Sequence, residues 1–215
     1  MEIYRTEEEQ LEVLKSWLQR NGRAVALGVG IALVLVFGYQ LWKNNRQNYN
    51  QSASVAYQEI IEAAQRADTL KASALEATTL NTLGKKLIQD YPRSVYAQLT
   101  AVLLAKQALH DNQLKKATDQ LQWALDHHPD ENLRLLVQLR LARVFLASHR
   151  FAEAQALLNV DKDNSYFPLY QEVTGDLFAA QGKTAQAKQA YQASLNALAK
   201  EKDKAPWIQT KLDNL

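Results

Sequence analysis

Histidine, arginine and clustered carboxylates are the side chains here that chemistry would have to use. His110, His127, His128 and His149 do not form the His-Glu-x-x-His pattern that sets two imidazoles on one helix face around zinc. His127 and His128 precede Pro129, which places them at a helix C-terminus, where imidazole is favourable beside unpaired carbonyls. Glu7, Glu8 and Glu9 are an acidic run at a helix start, complementing the helix dipole. A glycine-rich phosphate loop and a Gly-x-Ser-x-Gly nucleophile elbow are both missing from the sequence, and with no Cys there is no thiol catalysis, disulfide or Cys-based metal site. The reading is therefore binding rather than catalysis, with no metal and no cofactor. Arg140 and Arg143 lie three apart with Leu136 on the same stripe of a helix expected from Leu133 to Ala147. Guanidinium forks of this kind hold a carboxylate or the backbone carbonyls of an extended polypeptide. Pairing with an Asp or Glu of the same chain is the competing use.

The elements that position these arginines follow from a repeat. In AVLLAKQALHDNQLKKATDQLQWALDHHPDE, Ala105 is followed twelve residues later by Ala117, then by Leu121, Ala124 and Pro129. The pattern returns as Leu141, Ala142, Phe145, Ala154 and Leu158, and again as Gly175, Phe178, Gly182, Ala187, Tyr191 and Leu195. Ala105, Ala142 and Gly175 stand 37 and 33 residues apart, bracketing the tetratricopeptide period of about 34. Small residues let two helices approach, large ones fill between them, and three units are enough for a stable stack. The first helix of each pair lines the concave surface in such folds, which puts Leu136, Arg140 and Arg143 there. SASVAYQEIIEAAQRAD and ALEATTLNTLGKKLIQDYP read as a degenerate first unit. NALAKEKDKA is a polar connector, and a short segment from Pro206, with Trp207, Ile208 and Leu212, is expected to cap the last apolar face.

The front of the chain is different in kind. Ala24 to Trp42, AVALGVGIALVLVFGYQLW, runs nineteen residues without a charge. As a helix it is roughly 28 Å long, close to the ~30 Å hydrocarbon core of a bilayer. The Glu-rich stretch before it and the exit Tyr39-Gln40-Leu41-Trp42-Lys43 fit an uncleaved anchor better than a signal peptide. Arg5, Lys15, Arg20 and Arg23 before the run outnumber Lys43 and Arg46 just after it, so the N-terminus is expected inside. Ala24, Gly28 and Ala32 form a small-x-x-x-small row that permits close packing within the membrane. Ahead of the span, a capping box of Thr6 with Glu9 opens a helix with an apolar stripe of Leu11, Leu14, Trp17 and Leu18, expected to end at Asn21-Gly22. Lys43 to Ser52 reads as a polar hinge, or as helix continuing from the membrane.

The whole is expected to be all-α: residues 1–23 a cytoplasmic amphipathic segment, 24–42 a transmembrane helix, and 43–215 a periplasmic tetratricopeptide-like solenoid. The part beyond Trp42 carries only a small excess of Lys and Arg over Asp and Glu, which is no nucleic-acid footprint.

Met1-Glu2-Ile3-Tyr4, the Glu-rich helix with Asn21-Gly22, Ser52-Ala53-Ser54 with Ala56-Tyr57, and above all DENLRLLVQLRLAR from Asp130 to Arg143 resemble the YfgM family of ancillary SecYEG translocon subunits. The resemblance implies a single-pass inner-membrane protein with a cytoplasmic N-terminus and a periplasmic helical-repeat domain. It implies association with SecYEG and with the membrane-anchored periplasmic chaperone PpiD, and a part in handing emerging polypeptides to folding factors. It transfers no active site. The alternative is a scaffold or regulator of another envelope complex, acting in part through the N-terminal helix.

Overall fold

The structure is a computed structural model, and it describes residues 7–67, 74–198 and 205–215. Its elements are all helices: α1 (Glu7–Ala67), α2 (Ala74–Asp90), α3 (Val95–His110), α4 (Leu114–Asp126), α5 (Glu131–Ala147), α6 (Phe151–Leu157), α7 (Phe167–Ala180), α8 (Thr184–Ala197) and α9 (Pro206–Asp213). The chain divides into two compact units, Met1–Gln51 and Ser52–Leu215.

In the first unit α1 carries the apolar run in full exposure. Leu27, Val34 and Leu41 are each about 70% accessible, and none of the most apolar window of α1 is buried within the protein. A helix that is apolar on every side and covered by nothing of its own requires an apolar solvent. By length and composition it is long and apolar enough to cross a membrane. The expected stop at Asn21-Gly22 does not occur, because α1 passes through both residues. Asn21 turns its side-chain amide back to the Trp17 carbonyl at 3.2 Å, as a helix-interior residue does, and one helical glycine costs only about 1 kcal/mol within a long cooperative helix. Lys43 to Ser52 is likewise helical rather than a hinge. Thr6 of the expected capping box, and the side chain of Glu9, lie outside what the structure describes.

The second unit stacks helix pairs. Ala53, Ile60, Ala63 and Ala67, on the last turns of α1, are buried. The latter three cluster with Leu80 and Leu87 of α2 and Ala97 and Leu104 of α3. Ser94 caps α3 by accepting from the Ala97 amide at 3.1 Å, while Asp130 caps α5 through the Leu133 amide at 2.9 Å, starting α5 two residues ahead of the expected Leu133. The central core joins α3, α4, α5 and α6 through Ala105, Ala117, Leu121, Ala124, Leu133, Val137, Leu141, Phe145 and Ala154. Of the small residues singled out by the repeat, Ala105, Ala117, Ala124, Ala142, Ala154, Gly175 and Ala187 are buried, whereas Gly182 is exposed at a turn. At Gly175 the reason is direct: a β-carbon there would stand 2.4 Å from the Tyr191 ring, so α7 and α8 meet at backbone-to-ring distance.

Three turns repeat as faithfully as the helices. Asn112, His149 and Gly182 all take left-handed backbone angles, with φ of 56°, 56° and 72°. They have the same 37- and 33-residue spacing as Ala105, Ala142 and Gly175. The amide after each, on Gln113, Arg150 and Lys183, donates back to Ala108, Phe145 and Phe178 carbonyls at 2.7–2.8 Å. This is the Schellman closure, which satisfies carbonyls at a helix end only if one residue goes left-handed.

α9 caps the stack through Ile208, fully buried, and Leu212, packed with Tyr191, Leu195 and Ala205. Trp207 is not part of that cap, being about half exposed. Adjacent positions on a helix point about 100° apart, and Ile208 takes the inward one. Residues 199–204 of the expected connector lie outside the described residues.

Candidate functional site

α5 is buried on most of its circumference because α4, α6 and α7 all pack against it. Leu133, Leu135, Val137, Leu139, Leu141, Ala142, Val144 and Phe145 are all buried. One outward stripe is Asn132, Leu136, Arg140, Arg143 and Ala147, at helical spacing of three and four, and Glu131, Arg134 and Gln138 are left outward beside it. The three residues singled out from the sequence thus share one face: Leu136 and Arg140 partly buried, Arg143 exposed.

The two arginines differ in their partners. Arg143 reaches across to α7 and donates to Glu172 Oε2 at 3.3 Å. Glu172, only 7% exposed at its side chain, receives Lys211 Nζ of α9 on its other oxygen at 2.7 Å. Lys211 also donates to Asp176 Oδ2 at 2.8 Å, and the Tyr191 hydroxyl donates to Asp176 Oδ1 at 2.7 Å. Four elements, α5, α7, α8 and α9, are tied by this network. Arg140 makes no hydrogen bond or ion pair with any described residue.

The electrostatics follow the contacts. Burial and the neighbouring Arg143 charge hold the Arg140 pKa below its ordinary value. For Lys211 burial pulls downward, but the hydrogen bonds to Asp176 and Glu172 outweigh it and leave the ammonium raised. Burial, then the bond to Asp176, pushes the Tyr191 phenol up. Tyr170, whose hydroxyl donates to the Leu135 carbonyl at 2.9 Å, is pushed by burial up to about 12.

Two further groups of expected residues are placed as follows. Ala24, Gly28 and Ala32 are exposed on α1, and a β-carbon at Gly28 would meet nothing within 4 Å. His127 stacks on Trp123 at 3.8 Å between ring centroids and brings Nδ1 to 2.8 Å from the Trp123 carbonyl, closing the α4 terminus. His149 is the left-handed turn residue described above. Among the described residues, His, Asp and Glu do not gather in threes suited to a metal ion.

Glu172, Asp176 and Lys211 were not singled out from the sequence. One signal pointed to Glu172: it stands 33 residues after Leu139, a fully buried position, so a carboxylate had entered a core register. Lys211 gave no such signal, because α9 lies outside the repeat.

Residues 15–215 match the family described as "Tetratricopeptide repeat-like domain". The chain belongs to that family. Within the tetratricopeptide repeat-like domain α3, α5 and α7 are the first helices of their pairs, and α5 packs directly on α7. Among similar proteins are three named "Ancillary SecYEG translocon subunit". That of Escherichia coli (strain K12) is 28% identical over 197 residues, 92% of this chain and 91% of its own. That of Neisseria gonorrhoeae is 27% identical over 215 residues, the full length of both. That of Haemophilus influenzae is 26% identical over 186 residues, 86% of this chain and 87% of its own. The resemblance first seen at Asp130 to Arg143 therefore extends along nearly the whole chain. No solved structure matches it.

Proposed function

We propose that this chain is an ancillary subunit of the SecYEG translocon, a membrane-anchored interaction protein that presents a helical-repeat surface to polypeptides emerging from the channel. Likeness over nearly the full length to proteins of that name carries the reading, since it includes the apolar helix as well as the repeats. Residues 24–42 are the anchor, 1–23 lie in the cytoplasm and 43–215 in the periplasm, an orientation supported by the Lys and Arg excess ahead of the span. The periplasmic chaperone PpiD is the expected neighbour to which clients pass. The work is binding, and anchoring beside the channel raises effective concentration enough for weak contacts to suffice.

Photo-crosslinkers at Leu136, Arg140 and Arg143 in native membranes are expected to capture translocon subunits, PpiD or emerging chains. Capture of none of these refutes the assignment. A second reading is a scaffold or regulator working through the N-terminal helix, and the exposure of Leu11, Leu14, Trp17 and Leu18 favours it. Deleting residues 2–21 while keeping the span separates the two: function retained places the work beyond the membrane, and function lost places it in the N-terminal helix.

A further inference from the structure

We propose that the α5 stripe around Arg140 binds an extended acidic segment by taking a side-chain carboxylate onto the Arg140 guanidinium, which gives chemical content to the docking role above and rests on it. A half-buried guanidinium ordinarily finds a carboxylate or carbonyls for its five N–H donors, because a desolvated, unpaired charge is costly. Arg140 has none. Its neighbour Arg143 is already paired with Glu172, whose second oxygen is held by Lys211. Asp176, the other carboxylate of α7, is shared between Lys211 and Tyr191. Both carboxylates of α7 are thus committed elsewhere, and the Arg143 charge is felt at Arg140.

The surroundings define the rest of the ligand. Leu136 lies one turn away on the same stripe. The equivalent positions of α3, one repeat earlier, are Leu99 and Leu103, both partly buried. An acid flanked by apolar residues in an extended strand fits an unpaired cation with leucines beside it. Basic segments are repelled and neutral ones leave the guanidinium unpaired.

The test uses the full chain in phosphatidylcholine nanodiscs and a pair of short, terminally blocked peptides identical except for one central Glu or Gln between Leu and Val. The Glu peptide is expected to bind about tenfold more tightly than its Gln twin, the size of one charge-assisted hydrogen bond. Arg140→Gln should bring that ratio to near one, and Arg140→Lys should retain part of it. Arg140→Leu should leave the unfolding temperature equal or higher, since it removes an unpaired half-buried charge. Equal binding of the two peptides to the native chain, or a preference that survives Arg140→Gln, overturns the carboxylate assignment. A marked fall in unfolding temperature for Arg140→Leu would make the residue structural and overturns it as well. Failure of both peptides to bind, with crosslinks at Leu136 still formed in membranes, refutes the acidic ligand while leaving the docking role standing.

Discussion

At the scale of single residues, the second unit is closed by charges and turns more than by special packing. His149 occupies a left-handed position that a β-carbon makes unfavourable by roughly 1–2 kcal/mol, while Gly182 fills the equivalent place freely. Replacing His149 by Gly should raise stability by about 0.5–1 kcal/mol in urea unfolding, the gain being trimmed by loss of the edge contact with Phe151. The Lys211 bridge makes a prediction about pH. Its ammonium has a raised pKa in the folded state, so its stabilisation is complete below the ordinary lysine value and is lost as pH climbs through the folded one. Tyr170 and Tyr191 act in the same direction, because their phenols ionise more readily once unfolded. The unfolding temperature should be insensitive to these groups between about pH 7 and 9 and should fall above about pH 10, with phenolate absorbance appearing as the chain unfolds.

At the scale of elements, the contact between α7 and α8 is the tightest that the repeat prescribes. Gly175→Ala drives a methyl into Tyr191, whose ring is tethered at its far end to Asp176, so the ring has little room to move aside. The expected cost is about 1–3 kcal/mol, read as a lower denaturation midpoint with an unchanged m-value. Which helices pair was legible because the signal is local: Ala105 with Ala117, Ala142 with Ala154 and Gly175 with Ala187 recur at one spacing. The Asn21-Gly22 stop was misread because a cap signature competes with propagation, and within one long helix propagation wins. Half of the candidate site was legible for the same reason. Leu136, Arg140 and Arg143 share a stripe that counting by three and four reveals, whereas Glu172 and Lys211 lie 29 and 68 residues from Arg143 and meet it only through the stacking of α5, α7 and α9.

At the scale of the whole molecule, an apolar helical segment with no buried face, as in the Ala24–Trp42 part of α1, finds its partner in lipid or in another protein. The row of Ala24, Gly28 and Ala32 is open along α1. Replacing all three by Leu should leave membrane insertion intact, since the segment stays apolar, and should reduce copurification with translocon subunits or PpiD from gently solubilised membranes about five- to tenfold, the effect of losing about 1 kcal/mol or slightly more of close helix packing. Unchanged copurification would show that the span is an anchor alone.

The turns at Asn112, His149 and Gly182 also determine where this architecture can vary. Each occupies three residues, between His110 and Leu114, Ala147 and Phe151, and Ala180 and Thr184, with the left-handed residue always in the middle. The links that return to the next pair are not held to one length: α4 to α5 is short, and α6 to α7 is longer. The links run against the drift, the longer one lying in the shorter stride, so the difference between 37 and 33 comes from the helices, 13 and 17 residues in α4 and α5 against 7 and 14 in α6 and α7. The solenoid is thus a chain of constant corners between helices and links that both vary in length, and a tag or foreign loop spliced near the exposed Asp161 would be carried at the surface, whereas the same insertion beside Asn112 would break a corner.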